Sequence, residues 1–247
     1  MDDAFIRFVD LHKSFAGKPV LKGMTLGVGR GETVVVLGGS GSGKSVLLRH
    51  TIGLHRPDRG EVWVDGVEIT QLDEEELIDT RKKVGMLFQA GALFDSMTVE
   101  DNVAYALREH TDWDETRIAE RVREVLGLVE LGEIGEVMPA DLSGGMRKRV
   151  ALARAIALAP RAILYDEPTT GLDPLTATTI NALIRSLQRR LGVTSIVVTH
   201  DIHSAFTVGD RIAFLHDGVI HFDGSVEEAK RASEPLLRNF LQGGGFA

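Results

Sequence analysis

Apolar residues fall into short runs early in the chain, then into a helical rhythm, then into short runs again. Phe5 to Val9 and Met24 to Val28 are rich in β-formers. Thr33 to Leu37 is nearly all β-branched, the pattern of a strand buried on both faces. Glu61 to Val64 predicts a further short strand, with Pro57 to Gly60 as the turn before it and Asp65-Gly66 as the turn closing it. From about Thr98 to Ala159 the spacing changes. Val99, Val103 and Leu107, then Ile118, Val122, Val125 and Leu126, recur at helical intervals with charges between them. Strand character returns in Ala162 to Tyr165, Ser195 to Thr199 and Ile212 to Leu215, and Asp217-Gly218 reads as a hairpin turn. Val226 to Leu241 predicts a helix, ended by Gly243-Gly244-Gly245 as a flexible tail. The outline is a strand-rich core, a helical insertion and a return to the core.

Composition narrows the function classes. The 247 residues are within reach of a single α/β unit, and 43% hydrophobic content supplies a sizeable core. A net charge of -8 argues against DNA or RNA as the main partner, because displacing phosphate counterions needs a basic surface. No cysteine is present, so disulfides and thiol catalysis are excluded. Met1-Asp2-Asp3-Ala4 lacks an apolar signal core, and no apolar stretch approaches the ~20 residues needed to span a bilayer. A membrane role must therefore come through a partner.

Gly38-Gly39-Ser40-Gly41-Ser42-Gly43-Lys44-Ser45 fits the phosphate-binding P-loop pattern, between a predicted strand and a helix that continues through Val46-Leu47-Leu48-Arg49. Glycines let backbone N–H groups turn around phosphate oxygens, and the helix N-terminus adds its dipole. In this setting Lys44 reaches the β- and γ-phosphates and the Ser45 hydroxyl ligates Mg²⁺. Ala162 to Glu167 is an apolar strand ending in two carboxylates, placed for Asp166 to hold the metal and Glu167 to polarise the attacking water. Alone, such a pair is as well read as a helix cap. His200, at the end of the strand Ser195 to Thr199, can face a γ-phosphate; a lone histidine there is more often structural. His200 and His203 also have a metal-binding spacing, but they lack an obvious third ligand, and that reading is rejected.

Leu142-Ser143-Gly144-Gly145-Met146 resembles the ABC (ATP-binding cassette) signature. With the P-loop, Asp166-Glu167 and His200 in that order, nearly the whole chain is similar to an ABC ATPase. The resemblance implies an α/β P-loop NTPase with a RecA-like core, an N-terminal antiparallel β subdomain and an inserted helical subdomain. The corresponding boundaries are 1–95 and 160–225 for the core, 96–159 for the helical subdomain, and 226–247 for a C-terminal helix and tail. It also implies a head-to-tail dimer, with ATP between one chain's P-loop and Ser143, Gly144 and Gly145 of the other. Phe15 matches the aromatic that stacks on adenine, though alone it reads as core. Gln89 matches the glutamine that senses Mg²⁺, so that Ser45, Gln89 and Asp166 form the metal set. Gly171-Leu172-Asp173-Pro174 matches the loop that crosses the dimer interface. Met146 stands where glutamine is usual, and Val46 where threonine is, a small loss of hydrogen bonding at the α-phosphate.

Phe88 to Val99 corresponds to the segment on which the family docks its permease. That form, with Leu142 to Ala155, is similar to the Mla/Mkl-type cassettes. Those work with a permease and an MCE-domain protein to move phospholipids between bacterial membranes, from the cytoplasmic face of the inner membrane. A polar-solute importer, for example for amino acids, is the alternative with identical catalytic machinery. A non-transport ABC ATPase fits poorly, since the chain holds one cassette and no basic extension. Arg147-Lys148-Arg149 reads as a solvated helix face with a minor role in attracting nucleotide.

Overall fold

The computed structural model describes residues 4–243; residues 1–3 and the part of the predicted tail beyond Gly243 lie outside the described residues. Contacts divide the chain into two compact units, residues 4–81 with 193–243, and residues 82–192.

The first unit opens with β1 (Ala4–Phe15) and β2 (Lys18–Gly29), longer than the predicted runs, in an antiparallel sheet ordered β2-β1-β4-β5. Here β4 is Arg59–Val64 and β5 is Val67–Glu68. Ile6 faces Val64 and Phe8 faces Val62 across the β1–β4 pair, and all four are buried. The register slips after Val9, at Asp10, whose φ is 47°. That extra residue turns Leu11 inward, so the buried set runs Ile6, Phe8, Leu11 rather than by strict alternation. Gly60 belongs to β4 and not to a turn. Its φ is 98°, and a Cβ there would meet the Asp10 carbonyl at 2.3 Å, so the bulge requires glycine. Asp65 and Gly66, with φ of 51° and 81°, make the predicted tight turn between β4 and β5.

The same unit holds β3 (Thr33–Leu37), fully buried, between parallel partners β8 (Thr194–Thr199) and β9 (Arg211–His216). β9 returns through Asp217-Gly218 into β10 (Val219–Ser225). α1 (Lys44–Thr51), α7 (Ile202–Val208), α8 (Val226–Lys230) and α9 (Pro235–Leu241) complete it, and α2 (Leu77–Lys83) runs into the second unit. The single helix expected over Val226 to Leu241 is two. Pro235 disfavours helical φ/ψ in the residue before it, and Glu234 instead caps α9 by accepting from the Leu237 N–H.

The second unit pairs β6 (Val84–Leu87) with β7 (Ala162–Asp166) in parallel and surrounds them with α3 (Val99–His110), α4 (Glu115–Leu128), α5 (Gly144–Ile156) and α6 (Pro174–Leu191). The apolar positions predicted for α3 and α4 are all buried. Each helix starts at a side-chain cap: Thr98, Asp114, Ser143 and Asp173. α5 presses on β6 so closely that a Cβ at Gly85 would meet the Ala155 carbonyl at 2.3 Å.

Candidate nucleotide site

The loop from Gly38 to Gly43 leaves β3 at its carboxyl end, where ligands bind in α/β sheets. A Cβ on Gly38 would fall 2.3 Å from the Leu215 carbonyl. Gly43, with φ 104°, precedes α1 and has no side chain with which to cap it. Both glycines serve the backbone path, and the helix start has no side-chain cap, an arrangement suited to an anion. Lys44 is 6% exposed, and its Nζ donates to the Gly38 and Gly39 carbonyls, both at 2.9 Å, which holds the ammonium within the curl of the loop. Ser42 Oγ is buried in the same curl without a hydrogen-bond partner.

Leu37 and Thr199 are the last paired residues of β3 and β8, and the Gly38 N–H donates to the Thr199 carbonyl at 3.3 Å. His200, exposed, therefore leaves the sheet beside the start of the loop. Thr199 Oγ1 accepts from the Asp201 N–H, and Asp201 caps α7 by accepting from the His203 N–H at 3.0 Å. Phe15 ends β1 and is 39% exposed rather than part of the core. The Lys13 ammonium lies over its ring at 5.5 Å, and His55 meets it edge-on at 5.2 Å. A Cβ on Gly43 would meet Leu21 at 3.0 Å and Val20 at 3.2 Å, so the β1–β2 hairpin that carries Phe15 abuts the loop. Burial chiefly, with Arg49 and Lys13 adding to it, lowers the His55 pKa.

In the second unit the carboxyl ends of β6 and β7 bring Gln89, Asp166 and Glu167 together. Leu87 faces Tyr165 in the last pair, so Gln89 and Glu167 each stand two residues beyond it. Asp166 and Glu167 are 4% and 8% exposed. Glu167 has φ 47°, unusual for a side-chain-bearing residue and doubly so before Pro168. Its Oε2 accepts from Thr170 Oγ1 at 3.1 Å.

Ser143 starts α5, its Oγ accepting from the Met146 N–H at 3.2 Å. Gly144 and Gly145 lack side chains where Cβ atoms would meet Leu172 at 3.4 Å and Thr176 at 2.6 Å. The signature glycines thus pack on the Gly171–Pro174 loop and the start of α6. Asp173 caps α6 through the Leu175 and Thr176 N–H groups, and Leu175 beside it is 78% exposed.

The structure corrects a further reading. Only Arg147 of the Arg147-Lys148-Arg149 run is exposed. Arg149 donates to the carbonyl of Glu130 at 3.2 Å. Lys148 is 6% exposed; its Nζ donates to the Gln89 carbonyl and, at 3.4 Å, towards that of Glu167. Burial lowers its pKa, against the opposing pull of Asp166 and Glu167. The signal was in the spacing: Lys148, Leu152 and Ile156 lie on one helical stripe, and all three are buried. Arg154 is a further residue for which the sequence pattern assigns no role. It donates to the Gly91 and Ala92 carbonyls at 3.0 and 2.7 Å, and lies over the Phe94 ring at 5.7 Å. Buried Asn102 joins the Phe94 N–H and the Phe94, Met97 and Thr98 carbonyls, which fixes the 94–98 segment.

A family model described as ABC transporter matches residues 21–170. The chain is 43% identical over 233 residues to the probable ribonucleotide transport ATP-binding protein mkl of Mycobacterium tuberculosis, covering 94% of this chain and 65% of that protein. It thus spans a little under two-thirds of that relative's length. Identity to the intermembrane phospholipid transport system ATP-binding protein MlaF of Escherichia coli is 40% over 246 residues, covering 98% of this chain and 91% of the relative. Among solved structures, the dimeric post-hydrolysis state of the ATP-binding cassette MJ0796 bound to ADP and Pi matches with a TM-score of 0.82 at 35% identity, covering 90% of this chain and 98% of that one.

Proposed function

The chain belongs to the ABC transporter family, and from that premise we propose that it is the ATP-hydrolysing subunit of a transporter that moves phospholipid between bacterial membranes. The observation that carries the lipid reading is the match to the phospholipid transport protein over 98% of this chain and 91% of the relative. The ATPase reading draws on the P-loop geometry: a strand, a glycine-dependent curl, an inward lysine and a helix start without a side-chain cap.

In this proposal the backbone of Gly38 to Val46 cradles the ATP phosphates, Lys44 offsets charge on the β- and γ-phosphates, and Phe15 stacks on adenine. Ser45, Gln89 and Asp166 offer only oxygen donors, the set that suits Mg²⁺. When bound, the ion neutralises charge on the transferring phosphoryl group. Glu167 takes the proton of the attacking water and His200 orients it. Two chains pair head to tail, so that Ser143, Gly144 and Gly145 of one complete the site of the other.

Among the described residues no helix is long and apolar enough to cross a membrane. The membrane contact therefore belongs to a permease seated on Gln89 to Thr98, with an MCE-domain lipid-binding protein as a further partner. The chain works peripherally at the cytoplasmic face of the inner membrane. The test is to tag the chain, extract its complex gently from native membranes, and identify proteins and ligands by mass spectrometry. The proposal predicts a permease, an MCE-domain protein and bound phospholipid. A permease with a solute-binding protein and no lipid would overturn the substrate while leaving the ATPase chemistry standing.

A further inference from the structure

α5, the helix that begins at the signature serine, carries one buried and one half-buried cation that end on one stretch of backbone. Lys148 reaches the Gln89 carbonyl, and Arg154 reaches those of Gly91 and Ala92. Lys148 goes further, since its Nζ also lies 3.4 Å from the carbonyl oxygen of Glu167. Removing an ammonium from water is unfavourable unless its protons find acceptors, and here they find backbone oxygens from two different segments.

Glu167 needs such support. With φ 47° ahead of Pro168, its backbone sits in a region that persists only when neighbours hold it. The Thr170 contacts to Glu167 come from its own turn: the N–H donates to the carbonyl at 3.3 Å and Oγ1 to the carboxylate. Lys148 adds a tie to Glu167 from a separate element, and the same atom ties the Gln89 loop.

We propose that Lys148 is a positioning residue that holds the Glu167 turn and the Gln89 loop in one fixed relation to the signature helix. The general base, the metal-sensing loop and the signature then shift as one piece when the dimer closes. Arg154 extends the same hold towards Phe94. The inference rests on the assignment of Glu167 as general base.

The experiment measures steady-state ATP hydrolysis and ATP affinity of the full chain for wild type, Lys148→Met, Lys148→Arg, Leu152→Ala and Glu167→Gln. Lys148→Met should lower kcat about tenfold or more while leaving KM for ATP within about threefold. Lys148→Arg, which keeps a donating cation, should recover part of the loss. Amide exchange across residues 89–94 should speed up in Lys148→Met. Leu152 is buried on the same stripe and has an apolar side chain. Leu152→Ala should lower the melting temperature without the selective loss of kcat. If Lys148→Met keeps wild-type kcat while Glu167→Gln is inactive, the positioning role is overturned and the base assignment stands. An active Glu167→Gln overturns the base assignment itself. Should Lys148→Met lose kcat and ATP affinity together, with unchanged exchange at 89–94 and no rescue by arginine, its role is merely structural.

Discussion

Glu167 is where residue-level detail matters most, since a buried carboxylate held in a strained backbone is suited to take one proton in one direction. Glu167→Gln keeps the size and removes the base, so kcat should fall by at least about 100-fold while ATP affinity persists. Near-normal hydrolysis in that variant would remove Glu167 from the mechanism. His50 gives a prediction about stability. Its Nδ1–H donates to the Val46 carbonyl at 2.7 Å, its Nε2 is buried without a partner, and burial chiefly lowers its pKa to about 4. The unfolded chain takes up this proton near pH 6.5, the folded chain only near pH 4. The contribution is therefore whole above about pH 6.5 and is lost as pH falls towards 4. Urea unfolding should show wild type losing about 2 kcal/mol of stability relative to His50→Leu between about pH 7 and pH 5; a constant difference would contradict it. At this scale Lys44, Asp166 and Glu167 were legible because motif and strand end point to them. Lys148 was hidden by two neighbouring arginines that make the run look solvated, although its spacing to Leu152 and Ile156 marks a buried stripe.

At the level of elements, a segment with one hydrophobic period shows its structure in the sequence and a mixed one does not. β3 and the apolar faces of α3 and α4 match the sequence because each buries a whole strand or a single stripe. α6 has no predicted counterpart, although Asp173-Pro174 caps it and Gly192, with φ 63°, ends it in the usual way. β5, only two residues long, has no period to find. The bulge at Asp10 depends on the approach of Gly60 from another strand, which no local pattern records. Arg211 joins elements of the first unit in a comparable way. It donates to Glu32 Oε1 at 2.7 Å, to both Asp223 oxygens at 2.5 and 2.7 Å, and to the Gly27 carbonyl, which ties β9 to β2 and β10. Arg211→Ala should destabilise the fold by about 2–3 kcal/mol in chemical unfolding. Arg211→Lys should restore less than half, because an ammonium cannot reproduce the fork. Full recovery with lysine would mean that charge alone is at work.

For the whole molecule, the two units divide the chemistry. The P-loop and His200 lie in one; Gln89, Asp166, Glu167 and the signature lie in the other. The sequence order of the motifs reveals that the chain contains both kinds of part, but order alone does not say whether a site is completed within one chain or between two. Gly144 and Gly145 pack against Leu172 and Thr176, which places the signature beside the exposed Leu175. The most direct test mixes two variants, Lys44→Ala, which lacks a working P-loop, and Ser143→Arg, which lacks a working signature. Each alone should lose at least about tenfold in turnover. A head-to-tail dimer restores one intact site in every mixed pair, so random mixing should return about a quarter of wild-type hydrolysis. A mixture no more active than the sum of its separate components would contradict the shared site and the dimeric mechanism built on it.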